Sequence, residues 1–168
     1  MSRIAQHYAA RTHKKNPIEQ SGRQTVSIHV RQKWGDGAKG LCKGYNPLTA
    51  IRPHLGVQYY QRAIKHVLSM GDTLYRFMIF GDSPEWAKAN LLALIPASIP
   101  VEIVPPSESQ VWDNFFSISQ CPVHILSNSS FCYCAALLSD ARIVIAPANY
   151  CHDTSLNQSG FPSHWIRL

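Results

Sequence analysis

Strand-like and helix-like patterns alternate between residues 25 and 146 of this 168-residue chain. Short runs of β-branched and apolar residues predict strands at 25–31, 75–80, 101–104, 124–127 and 142–146. Segments with helical spacing lie between them, at 56–70, 83–94, 110–120 and 130–138. This alternation predicts the α/β class, with a parallel sheet covered by helices on both faces and right-handed crossovers.

The connections are less regular than these elements. Residues 32–55 contain four glycines and two prolines, which predicts a long loop. Ser83, Pro84 and Glu85 form a helix start, with a capping serine, a proline at the first helical position and an acid that favours the helix dipole. After Pro147 the pattern is lost, and we expect an irregular tail.

Charge is concentrated near the N-terminus. Residues 1–50 carry a net charge of +7 and residues 51–168 carry −1, within a total of +6. Residues 1–24 therefore read as a basic extension before a domain at 25–168. Such an extension could contact nucleic acid or an anionic surface, but it has no aromatic ladder for stacking bases, and a solvated tail is the simpler interpretation.

The five cysteines and the apolar runs limit the function classes. An odd number of cysteines without a signal-peptide pattern favours a reducing compartment. Cys132, Cys134, Cys151 and His152 lack the usual spacing of zinc ligands, and we expect buried thiols on a helix rather than a metal site. No apolar run approaches the roughly 18 residues of a membrane span. The sequence therefore predicts a soluble or peripheral protein.

Polar residues follow the predicted strands where a parallel sheet collects ligands. His29 and Arg31 share one side of the first strand, and Arg31 could bind two phosphate oxygens. Asp82 follows the second strand and could bind a sugar hydroxyl. Asn128, Ser129 and Ser130 precede a predicted helix whose N-terminus suits an anion. Each also has a structural alternative: a surface ion pair for Arg31, a packed imidazole for His29, and helix-start roles for the others.

Several familiar sites are missing. The chain has no GxGxxG or Walker-type loop, which argues against a dinucleotide oxidoreductase or a P-loop ATPase. It also has no GxSxG or HExxH pattern. The strand-end residues therefore favour a nucleotide-diphosphate site that is built without these motifs.

Four blocks of the sequence resemble glycosyltransferase family 11, the α-1,2-fucosyltransferases. VSIHVR with the later GD (Val26–Arg31, Gly35 and Asp36) resembles the motif HVRRGD, and the segment that follows this motif in the family resembles GVQYYQRAI at residues 56–64. FMIFGDSPEWAKANL at residues 77–91 is similar to a block of the form FSDDPxWxxxNL. CPVHILSNSSFCYCAALL and IVIAP, at residues 121–138 and 143–147, are similar to the family's closing block. The four blocks occur in the family's order.

The resemblance implies a Rossmann-like nucleotide-sugar domain, the donor-binding half of a two-domain glycosyltransferase. It implies inverting transfer of L-fucose from GDP-fucose to the 2-hydroxyl of a β-galactoside, with no cofactor and no required metal. Arg31 and Lys33 would bind the diphosphate, with Asp82, Asn128, Ser129 and Ser130 completing the donor site. His29 and Asp36 are the candidates for the catalytic base. A bacterial-type member would be cytoplasmic or peripheral at a membrane, and a longer eukaryotic form would lie at the Golgi membrane.

Departures from the family pattern leave an alternative open. Gln32 or Lys33 stands where the family has a second arginine, and Tyr133 and Cys134 replace a tryptophan pair. Only about 24 residues precede the first strand, so we expect the acceptor-binding lobe to be missing from this chain. The alternative is a truncated or diverged domain that binds GDP or a GDP-sugar without catalysis. A nucleic-acid or anionic-surface module based on residues 1–23 is a third hypothesis.

Overall fold

The computed structural model describes residues 22–33, 53–71, 74–106, 108–152, 157 and 160–168. Strands and helices alternate along these ranges. Their order is β1 (Gln24–Val30), α1 (Val57–Leu68), β2 (Tyr75–Gly81), α2 (Pro84–Leu91), β3 (Val101–Ile103), α3 (Val111–Ser119), β4 (Val123–Ile125), α4 (Ser130–Leu137), β5 (Ile143–Ala146) and β6 (Ile166–Arg167). A 3₁₀ turn follows α2 at Leu92–Leu94, and another precedes α3 at Glu108–Gln110.

The strands form one parallel sheet with the order β3-β2-β1-β4-β5-β6. This is the Rossmann order, so the predicted α/β class with a parallel sheet is confirmed. The strand order reverses between β1 and β4, where Ile28 pairs with Ile125. Such a switch point opens a crevice at the carboxyl edge of the sheet, because the two crossovers leave in opposite directions.

The predicted irregular tail is wrong for its last residues. Ile166 and Arg167 pair in parallel with Ile145 and Ala146 of β5, and they add a sixth strand. Two residues are too few for any periodic pattern, so the sequence contains no local signal for this strand. Hydrogen bonds in register with β5 define it instead.

Helices α1 and α2 pack on one face of the sheet, and α3 and α4 pack on the other. Alternate residues of β1, Val26, Ile28 and Val30, are buried in the core that includes Tyr60 and Ile64 of α1. The intervening residues of β1, which include His29, point to the α3 and α4 side. On that side Phe80 of β2 packs with residues of both helices.

The start of α2 keeps its predicted position but uses its serine differently. Ser83 occupies the N-cap and Pro84 the first helical position, yet the serine side chain caps no backbone N–H of the helix. Its hydroxyl instead donates to Asp82 Oδ1 over 2.9 Å. The serine therefore links the helix start to the end of β2.

Some predictions lie outside the described residues. These are most of the basic extension at 1–24, most of the loop at 32–55, and the candidate base Asp36. The division into an extension and a domain therefore stays a prediction. In the described ranges, no helix has both the length and the apolar character needed to cross a bilayer.

Candidate functional site

A cleft of about 250 Å³ lies at the carboxyl edge of the sheet, on the side of α3 and α4. The ends of β1 and β2 and the starts of α3 and α4 form its walls. Residues lining it are His29, Arg31, Phe80, Gly81, Asp82, Pro106, Val111, Asn114, Ser129 and Phe131. The structure thus brings together four of the predicted site residues: His29, Arg31, Asp82 and Ser129.

Asp82 connects the chain that leaves β1 to the end of β2. Its Oδ1 accepts hydrogen bonds from the Gln32 backbone N–H at 2.9 Å and from the Ser83 hydroxyl. Its Oδ2 accepts from the Lys33 backbone N–H at 3.1 Å and pairs with Arg31 Nε at 3.1 Å. Four donors therefore surround this carboxylate. The geometry gives Asp82 a positioning function, while its predicted contact with a sugar hydroxyl stays a prediction.

Arg31 lines the cleft just beyond the end of β1. Its side chain is 37% exposed and its ion pair with Asp82 uses Nε, which sets the direction of the guanidinium. Because a guanidinium carries five N–H donors in a planar fork, this pair is compatible with a second acceptor in the cleft. The ion pair of the alternative interpretation is therefore present, and the phosphate contact of Arg31 stays a prediction.

His29 is buried at the base of the cleft. Its Nδ1 lies 2.8 Å from Ser127 Oγ, and its ring centroid lies 5.8 Å from that of Phe131. Burial lowers the pKa of His29 from 6.5 to about 4, with a smaller raising effect from the Asp82 carboxylate and a lowering effect from Arg31. The imidazole is therefore neutral near pH 7.

The turn between β4 and α4 supplies the second wall. Ser129 is the N-cap residue of α4 in extended conformation, with no hydrogen bond from its side chain to the helix. The first backbone N–H groups of a helix have no acceptor within it, and they carry the positive end of its dipole. Because Ser129 lines the cleft, this helix start faces the same space as Arg31. The guanidinium and the helix start together form a corner that offers N–H donors suited to a phosphate, beside the Asp82 carboxylate that pairs with Arg31.

Three predicted donor-site residues lie outside the cleft wall as the described residues define it. Asn128 is fully buried, and its side-chain amide donates to the Pro53 carbonyl. Ser130 and Lys33 are exposed. Their assignment to the donor site stays a prediction, as does the role of Asp36 as a candidate base.

The structure adds residues that the sequence pattern does not single out. Ser127 is buried and holds the His29 ring, although the sequence shows it only as one of several small polar residues in a turn. Val111 and Asn114 reach the cleft from α3, three positions apart on one helix face. Only the i, i+3 spacing could have grouped these two residues, and it does not distinguish a cleft from a core.

The cysteines and histidines do not assemble a metal site in the described part of the chain. No group of three His, Cys, Asp or Glu side chains there is arranged to hold a metal ion. Cys132 is buried as expected for a small apolar residue, whereas Cys134 on the same helix is exposed, contrary to the expectation. Burial raises the pKa of the Cys132 thiol to about 11, so it remains protonated at neutral pH.

Comparison with known protein sequences identifies a family for this chain. No curated protein sequence matches the chain. The sequence model described as glycosyl transferase family 11 matches residues 4–168, which include every residue of the cleft. The chain therefore belongs to glycosyl transferase family 11, a family of fucosyltransferase type.

Proposed function

We propose that this chain transfers L-fucose from GDP-fucose to the 2-hydroxyl of a β-galactoside, with inversion at the anomeric carbon and without a required metal. The observation that carries the proposal is the corner of the cleft where Arg31 and the N-terminus of α4 face one space. Family membership supports the reaction class, and the anion-binding geometry supports a diphosphate donor.

Transfer requires charge stabilisation on the departing diphosphate. The bond between the anomeric carbon and the diphosphate oxygen breaks, and its electron pair stays on that oxygen. Donors that are already in place for the developing charge lower the barrier, because they need no reorganisation during the reaction. In the proposed function, Arg31, held by Asp82, and the backbone N–H groups at the start of α4 act in this way.

The acceptor reacts from the opposite side of the anomeric carbon. Its hydroxyl oxygen forms the new bond and its proton passes to a base, for which His29 and Asp36 are the candidates. The partners are thus a nucleotide-sugar donor and a galactoside acceptor, and the proposal includes no nucleic acid.

A second candidate function is binding of GDP or GDP-fucose without transfer. One observation favours it: among the described residues that line the cleft, Arg31 is the one basic side chain, since Lys33 is not part of the wall. A site with a single side-chain cation can hold a diphosphate while stabilising the leaving group less.

Incubation with GDP-fucose and lactose separates these functions. The proposed activity predicts GDP release together with fucosyl-lactose, at the same rate with and without EDTA. Binding of GDP without product would replace the enzyme with the binding function. A complete absence of GDP binding would contradict both.

The Arg31→Ala substitution tests the phosphate ligand. We expect GDP affinity, measured by titration calorimetry, to fall about 10- to 100-fold, because charge-assisted hydrogen bonds to the diphosphate are lost. Arg76→Ala is the matched control, since Arg76 also pairs with a carboxylate, Glu102, but lies near the start of β2 at the other edge of the sheet. Equal affinities for wild type and Arg31→Ala would remove Arg31 from the donor site.

A further inference from the structure

His29, Ser127 and Cys132 form a buried row of polar side chains behind the cleft. Ser127 Oγ lies 2.8 Å from His29 Nδ1 and 3.7 Å from Cys132 Sγ. All three residues are buried, and His29 alone of the three lines the cleft. Since Nδ1 faces Ser127, Nε2 is the ring nitrogen that remains for a ligand.

The surroundings of Ser127 determine which nitrogen carries the proton. The Cys132 thiol has two carbonyl acceptors, Ser129 O at 3.2 Å and Ser127 O at 3.6 Å. The serine hydroxyl proton can go either to His29 Nδ1 or to the Cys132 sulfur, and sulfur is a weak acceptor. This favours donation by the hydroxyl to Nδ1, which leaves the proton of a neutral His29 on Nε2.

Burial keeps the His29 ring neutral. The Asp82 carboxylate raises the pKa of the ring and the Arg31 cation lowers it. Desolvation by burial lowers this pKa by more than either charge changes it. A base that is protonated only near pH 4 takes up little of the acceptor proton at neutral pH. The N–H of a neutral imidazole can instead donate a hydrogen bond without losing its proton.

We propose that His29 donates a hydrogen bond through Nε2–H to the departing diphosphate and is not the catalytic base, with Ser127 as the residue that positions its ring. This inference rests on the proposed fucosyl transfer. The electron pair of the broken bond stays on the diphosphate oxygen, and the His29 proton stays on Nε2. The proton of the acceptor hydroxyl passes to a base other than His29.

Two substitutions at His29 distinguish a donor from a base. His29→Gln places an amide N–H₂ near the position of Nε2–H but cannot accept a proton, whereas His29→Ala removes both functions. We expect His29→Ala to weaken GDP binding about tenfold, since a hydrogen bond to a charged group is lost, and His29→Gln to stay within about threefold of wild type. Turnover of GDP-fucose should follow the same order.

His66→Gln is the control, because His66 lies in the last turn of α1, at the opposite edge of the sheet from the cleft. It should bind GDP like wild type. If His29→Gln keeps its GDP affinity but loses turnover as completely as His29→Ala, His29 is the base and the proposal is overturned. Wild-type GDP affinity in His29→Ala would show that His29 does not contact the diphosphate.

Nitrogen-15 NMR of the unliganded protein tests the tautomer without any activity measurement. The His29 signals, assigned by their loss in His29→Gln, should show the proton on Nε2, and Ser127→Ala should shift the balance between the two tautomers. A proton on Nδ1 in wild type would overturn the proposal. Failure of wild type to bind GDP would refute the proposed function and the ligand assigned to His29, while the NMR result would still report the tautomer.

Discussion

Asp82 shows how one side chain can organise a site without being its most exposed member. Its two oxygens accept from two backbone N–H groups, one hydroxyl and one guanidinium. These contacts hold the first residues after β1, and they aim Arg31 along the cleft. A helix-start acid and a ligand contact were the two interpretations open from the sequence, and the contacts favour a third, in which the carboxylate holds the loop.

At the residue scale, His29 and His124 predict loss of stability in acid. Burial lowers the pKa of each from 6.5 to about 4. The unfolded chain therefore binds protons at a higher pH than the folded chain does, and stability is lost as pH falls from 6.5 towards 4. We expect the free energy of unfolding to decrease by about 2 kcal/mol per histidine between pH 7 and pH 5.

Urea denaturation at the two pH values measures this effect. The control is His124→Gln, in which about half of the predicted pH dependence should disappear. His124 is suited to this test because its ring nitrogens contact Ser27 and Ser139, away from the cleft residues. Equal unfolding free energies at pH 7 and pH 5 in wild type would contradict the prediction.

At the scale of elements, the ends of β1 and β2 approach each other closely enough to require glycine. Gly81 pairs with Val30 and has a φ of +143°. A Cβ atom at this position would lie 1.9 Å from the Val30 carbonyl oxygen. The close approach brings Asp82, the next residue, within reach of the chain that leaves β1.

Gly81→Ala should therefore destabilise the fold strongly. We expect a loss of about 3 kcal/mol or more, because the clash is with backbone atoms that cannot rotate away. Gly71→Ala is the matched control: Gly71 also has a positive φ, +95°, but a Cβ there meets no atom within 4 Å. It should cost only about 1 kcal/mol. Equal losses of stability for the two variants, in thermal or urea unfolding, would show that the close approach of Val30 does not restrict residue 81 to glycine.

At the scale of the whole molecule, residues 160–168 form one edge of the sheet through β6 and pack against the helix of the site. Arg167 in β6 donates to the carbonyls of Pro147, Ala148 and Asn157, and its guanidinium lies 3.8 Å from the centroid of the Phe161 ring. Tyr133 of α4 packs its ring against Tyr150, Phe161 and Trp165. Tyr133, one of the departures from the family pattern, thus connects the site helix to the tail.

Arg167→Lys tests how much the Arg167 contacts contribute to stability. Lysine keeps the charge but has no planar fork to reach three carbonyls, so we expect the free energy of unfolding to fall by about 2 kcal/mol. Arg142→Lys is the control, because the exposed Arg142 makes one side-chain hydrogen bond within the described residues, to Gln24, and its effect should stay below about 0.5 kcal/mol. Equal losses of unfolding free energy in urea denaturation would mean that the planar guanidinium of Arg167 adds no stability beyond its charge.

The sequence by itself determined the α/β class and the succession along the chain of the first five strands and the four helices of the described ranges, because their periodicity is a local property of consecutive residues. It also identified the strand ends that carry His29, Arg31, Asp82 and Ser129, since parallel strands place their carboxyl ends together. Only the tertiary structure decided which side chains meet. The pairing of Asp82 with Arg31, the contact of Ser127 with His29 and the two-residue strand β6 depend on residues 21 to 98 positions apart. Such contacts arise from packing and register across the sheet, which no local pattern encodes.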